Sequence, residues 1–80
     1  MSNELREEHA RRILNDKLFV EAFETLEKNL LDSWKSSGVS ELEAREQIWL
    51  SLRLLERIRL HITSIVETGD MAKKLKEYQL

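Results

Sequence analysis

Proline is absent from the 80 residues, and glycine occurs only at Gly38 and Gly69. Nearly every position can therefore enter a helix without the roughly 3 kcal/mol penalty of proline or the roughly 1 kcal/mol penalty of glycine. Cysteine is also missing, which removes disulfides and thiolate metal sites and fits a reducing compartment. Long apolar runs are lacking too. No segment approaches the roughly 20 apolar residues that cross a bilayer, and the mixed charges of Met1 to Arg12 leave no apolar stretch of a secretory signal. The expected location is cytoplasmic.

What is present is 41% hydrophobic and 35% charged residues, with a formal net charge of -2. That balance reads as globular or coiled-coil-like rather than disordered. Eighty residues suffice for one core, so residues 1–80 are expected to form a single helical domain.

Four helices are expected, at about residues 3–14, 16–36, 41–68 and 71–78. The first has thin apolar content (Leu5, Ala10, Ile13, Leu14) and reads as weakly anchored. Asn15-Asp16 then offers a cap, because either side chain can accept from the orphan amides of the next helix. Beyond it Phe19, Phe23, Leu26, Leu30 and Trp34 recur at steps of four, three, four and four, one face of a helix. Ser36-Ser37-Gly38 ends this helix, with Gly38 suited to a left-handed C-terminal residue. Ser40-Glu41-Leu42-Glu43 reads as a capping box that restarts the chain, with Val39 stapled onto Ala44. So short a connection predicts an antiparallel helical hairpin of two long helices with short flanking helices.

The third helix carries two stripes. Ile48, Leu52, Leu55, Ile62 and Val66 form one, and Leu50, Leu54, Ile58 and Ile65 form its neighbour. An apolar arc that wide exceeds what one adjacent helix covers, so the all-α fold is expected to be completed by oligomerisation. Thr68-Gly69-Asp70 reads as the stop of this helix and the cap of the last.

Candidates for chemistry are few. His61 borders the apolar arc and His9 sits among charges; neither has a histidine or paired carboxylate at helical metal-ligand spacing. The glutamates fall on polar faces, where solvated i,i+4 pairs such as Glu24 with Lys28 explain them better than two-carboxylate catalysis. No phosphate loop or Ser-His-Asp order occurs. The expectation is therefore no enzyme, no catalytic residue, no metal and no cofactor. Trp34 and Trp49 should approach each other near the turn as core residues, or serve as interface anchors. With Leu50, Leu54, Ile58, His61 and Ile65 they make up the candidate interface. Arg53, Arg57, Lys73, Lys74 and Lys76 are a weaker candidate for nucleic acid, since the chain as a whole is slightly acidic. The mixed signs on the polar faces argue against a membrane-surface helix.

The runs Leu14 to Phe23, Trp34-Lys35, Ala44 to Leu50 and Val66 to Gly69 resemble a set of small helical proteins encoded by tailed bacteriophages and prophages. The resemblance spans most of the chain, departs at the turn Ser36 to Ser40, and carries helix punctuation rather than an active-site motif. It implies a protein of the structural and DNA-packaging gene region. The leading expectation is thus an interaction protein that associates with itself or with phage structural proteins during virion assembly or DNA packaging. Two alternatives stand beside it: a small inhibitor of a host defence or transcription complex, and a packaging adaptor touching DNA.

Overall fold

The computed structural model describes residues 3–78, and every element among them is helical: α1 (Asn3–Asn15), α2 (Lys17–Ser36) and α3 (Leu42–Tyr78). Residues 1, 2, 79 and 80 of the expected domain lie outside the described residues.

One residue separates α1 from α2. Asp16 is extended (φ -69°, ψ 126°), so the helical hydrogen-bond ladder cannot pass through it. Its carboxylate accepts the Phe19 amide at 3.0 Å, which satisfies one of the orphan donors at the start of α2. The expected cap and break are both here.

The connection between α2 and α3 is organised differently from the expectation. Ser37, not Gly38, is the last residue against α2; it is extended, its amide donates to the Trp34 carbonyl, and its hydroxyl donates to the same oxygen at 2.6 Å. Gly38 has no positive φ, so its left-handed freedom is not used. The carboxylate-to-amide bond of the expected box is displaced by two residues toward the N-terminus. Ser40 makes none of the expected bonds; instead the Glu41 carbonyl accepts the Arg45 amide to open α3, and the Glu41 carboxylate reaches back to the Gly38 amide at 3.0 Å. Val39 is 85% exposed and staples onto nothing.

The largest departure is at Gly69. α3 runs without interruption through Thr68-Gly69-Asp70, 37 residues that span about 55 Å at 1.5 Å each. The separate last helix does not form because each stop signal is otherwise engaged. The Thr68 hydroxyl bonds back to the Ser64 carbonyl at 2.8 Å, Asp70 turns to Arg11, and Gly69 is buried against α1.

α3 runs back along both preceding helices, as the cross-element pairs show. Glu4 meets Lys76, Glu7 meets Lys73, Arg11 meets Asp70, Glu27 meets Arg59 and Trp34 meets Arg45. The molecule is accordingly elongated, with extents of 62 × 23 × 18 Å. Contrary to the reading of α1 as weakly anchored, α1 makes the more extensive contact with α3, and α2 has no buried residue. Small residues explain this. Ala10 on α1 and Gly69 on α3 let the backbones close together, whereas on α2 even Phe19 and Phe23, with ring centroids 4.5 Å apart, stay half-buried.

Candidate interaction faces

Burial divides the apolar arc of α3 along the two stripes. Ile48, Leu52, Leu55, Ile62 and Val66 are half-buried toward α1 and α2, while Leu50, Leu54 and Ile58 stand exposed. Ile65 belongs with the covered set: it lies beside Arg6, His9, Ala10 and Ile13 under α1. His61 is exposed at the border of that contact, next to Leu54, Arg57 and Ile58 on one side and Arg6 on the other.

A second open face lies on the other side of the α2–α3 seam. There Leu31, Trp49, Leu52 and Leu60 floor a shallow groove whose walls carry Glu27, Arg53, Glu56 and Arg59. These charges pair across and along the groove, Arg59 with Glu27 at 3.6 Å and Arg53 with Glu56 at 3.7 Å. Each is half-exposed, so such pairs contribute little to stability, in the range of about 0–1 kcal/mol.

The two tryptophans do not cover each other. Arg45 lies over the Trp34 ring at 4.2 Å and Arg53 over the Trp49 ring at 5.8 Å, so each indole is half-shielded by a guanidinium. Arg45 is further held by Ser37, whose hydroxyl oxygen accepts from its Nε at 2.8 Å, which fixes Trp34 against the turn. Trp49 remains 55% exposed.

The candidate cations for nucleic acid are not brought into one patch. Lys73 donates to the Glu7 carboxylate at 2.7 Å and Lys76 to Glu4 at 2.8 Å, while Arg53 is engaged by Glu56. Arg57 and Lys74 make no ion pair among the described residues, and they stand about 25 Å apart along the α3 axis at 1.5 Å per residue.

The charge cluster between α1 and α3 was not anticipated from the sequence. Glu7 is fully buried, with one oxygen on Lys73 and the other 3.5 Å from Arg11 and accepting no hydrogen bond among the described residues. Arg11 bridges to Asp70 through two contacts of 2.9 and 3.0 Å. Asp70 is held below its ordinary carboxylate range, first by the nearby Glu7 carboxyl and next by its two contacts with the Arg11 guanidinium. Glu4 is likewise lowered by its hydrogen bond with Lys76. Lys73 is raised by its bond with Glu7, and Arg11 by its bond with Asp70. Nothing local in the sequence signals this cluster, because its partners lie 59 to 72 positions apart.

Among the described residues no group of three His, Asp or Glu side chains is placed to hold a metal ion, and no helix is long and apolar enough to cross a membrane. Compared with protein-family models, with curated proteins and with solved structures, the chain matches none of them.

Proposed function

We propose that this chain is a non-enzymatic interaction protein: a helical hairpin that acts by protein–protein contact and is completed by association, with itself or with a partner. One observation carries the reading. Trp49, Leu50, Leu54 and Leu60 are each more than half exposed along α3, and Ala10 is the single buried hydrophobic residue described. Fully burying such a side chain is worth roughly 1.5–3 kcal/mol, and about half of that is still to be gained at each of these positions when a partner covers it. The setting in virion assembly or DNA packaging comes from the resemblance to small phage proteins. Engagement of Lys73 and Lys76 by α1 favours protein contact over a DNA-adaptor role.

The test is absolute molar mass by light scattering over a wide concentration range, joined to binding assays against purified phage capsid and portal proteins. A defined homo-oligomer, or a complex of fixed stoichiometry with a virion component, supports the proposal. A strict monomer that binds neither refutes it.

A further inference from the structure

The two open faces of the α2–α3 pair differ in charge. The groove face carries Glu27, Arg53, Glu56 and Arg59. On the opposite face, helix geometry aligns Gln47, Ser51, Leu54, Ile58 and His61 at steps of four, three, four and three on α3. Alongside them α2 aligns Ala22, Leu26, Asn29 and Ser33 at four, three and four. All of these residues are exposed and none is an acid, a lysine or an arginine. In a chain whose residues are 35% charged, a charge-free stripe over residues 47–61 of α3 and 22–33 of α2, with Arg57 at its edge beside Leu54 and Ile58, is the composition of an interface core. On α3 its 3.5-residue period is the one that keeps a seam facing a neighbouring helix.

We propose that the face built on this uncharged stripe docks onto the same face of a second copy, forming a four-helix layer pair about a two-fold axis that passes beside Leu54. The proposal rests on the interaction-protein reading and specifies its partner. Three observations select a second copy.

A stripe with no acid, lysine or arginine, and with Arg57 only at its edge, meets its own image with little like-charge repulsion, whereas the groove, with arginines and glutamates at fixed places, would have to match a complementary pattern. The surface area agrees. The chain exposes 6706 Å², about 1,700 Å² more than the roughly 5,000 Å² of an average compact monomer of 9.5 kDa. A standard interface removes about 800 Å² from each partner and larger homodimers remove more, so one such face absorbs much of that surplus. The residues also interlock. Leu54 is the midpoint of the α3 stripe, so an antiparallel pairing sets Leu54 against its own copy and places the small Ser51 opposite the large Ile58. The Ser51 hydroxyl already donates to the Gln47 carbonyl at 2.8 Å, so it can be covered without losing a partner.

The experiment compares the full-length chain with Leu54→Glu, Leu54→Lys and, as a control on an exposed α3 leucine outside the stripe, Leu42→Glu. Light scattering is expected to give twice the chain mass for the parent and for Leu42→Glu. It should give the single-chain mass for Leu54→Glu and for Leu54→Lys separately, with helical circular dichroism retained. Mixing the two Leu54 variants should restore the dimer, since opposite charges then meet at the axis. Because the chain lacks cysteine, Leu54→Cys supplies a second readout that does not depend on tolerating a charge: oxidation should link it into a covalent dimer. A parent that is monomeric at every concentration overturns the self-docking face, even where that monomer binds a virion protein and so preserves the proposed function. So does a dimer that Leu54→Glu leaves intact, or a Leu54→Cys chain that does not cross-link.

Discussion

Replacing Gly69 by alanine should lower the stability of this protein, although in an ordinary helix interior the same change raises it. The usual gain is about 1 kcal/mol, because alanine restricts the unfolded chain and suits the helix. Here a methyl group would stand 2.5 Å from Cβ of Glu7 and 2.8 Å from its Cγ. A Cβ is fixed to its backbone, so no side-chain rotation relieves the overlap, and α1 must move away from α3. Overpacking of this kind costs about 1–3 kcal/mol. Set against the helix gain, the expected net loss is about 1 kcal/mol, which lowers Tm by about 4–8 °C in a chain of this size. Thermal unfolding followed by circular dichroism measures it, at one fixed protein concentration so that association does not shift the comparison. A partner variant isolates the cause. In a Glu7→Gly background the obstructing atoms are gone, so adding Gly69→Ala should now raise Tm, and the difference between the two backgrounds is the coupling of the pair. If Gly69→Ala by itself melts higher than the parent, the close approach of α1 and α3 at this glycine is wrong.

Three further outcomes follow from the caps and the charge cluster. Asp16→Ala should cost about 1 kcal/mol in chemical denaturation, the usual loss on removing a helix N-cap, and Asp16→Asn should recover most of it; equal stability of the alanine variant would remove the cap's role. At the turn, Ser40→Ala should change stability by less than about 0.5 kcal/mol, while Glu41→Ala should cost about 1 kcal/mol through the lost bond to the Gly38 amide. The reverse order would restore the capping box at Ser40. Acid should loosen α1 first. Asp70 and Glu4 are both held below their ordinary values, by Glu7 with Arg11 and by Lys76 respectively, so their contribution is present above about pH 4 and is lost as pH falls through the lowered folded values. Lys73 and Arg11 are raised, so their contribution persists at neutral pH and is lost only under strongly alkaline conditions. Hydrogen-exchange protection factors of α1 amides should therefore drop toward pH 3 before those of the α2–α3 region; uniform loss along the chain would contradict this.

Much of the secondary structure follows from local chemistry. With no proline and two glycines, the chain has little that stops a helix, and the steps of Phe19, Phe23, Leu26, Leu30 and Trp34 mark one helical face without reference to any partner. The Asp16 cap is equally local, because an aspartate bonding an amide three residues ahead needs only its own neighbours. The two stripes of α3 were legible for the same reason, although the second counts Ile65, which α1 covers, with the exposed Leu50, Leu54 and Ile58.

Tertiary structure decided the rest. Gly69 reads as a helix stop on its own, yet α3 passes through it because Glu7, 62 positions earlier, packs where a Cβ would be. Ser40 has the residue pattern of a capping box, but the position of Ser37 and Glu41 around the turn gives the bond to a carboxylate one residue later. α1, poor in leucine and isoleucine, owes its hold to Ala10 against α3 and to carboxylates meeting Lys73, Lys76 and Arg11, none of which a periodicity records. The sequence by itself determined that the chain is helical and which residues share a helix face, since both depend on separations of three or four positions. Which faces meet, and how closely, depended on side chains as far as 72 positions apart fitting together, and only the folded chain brings those into contact.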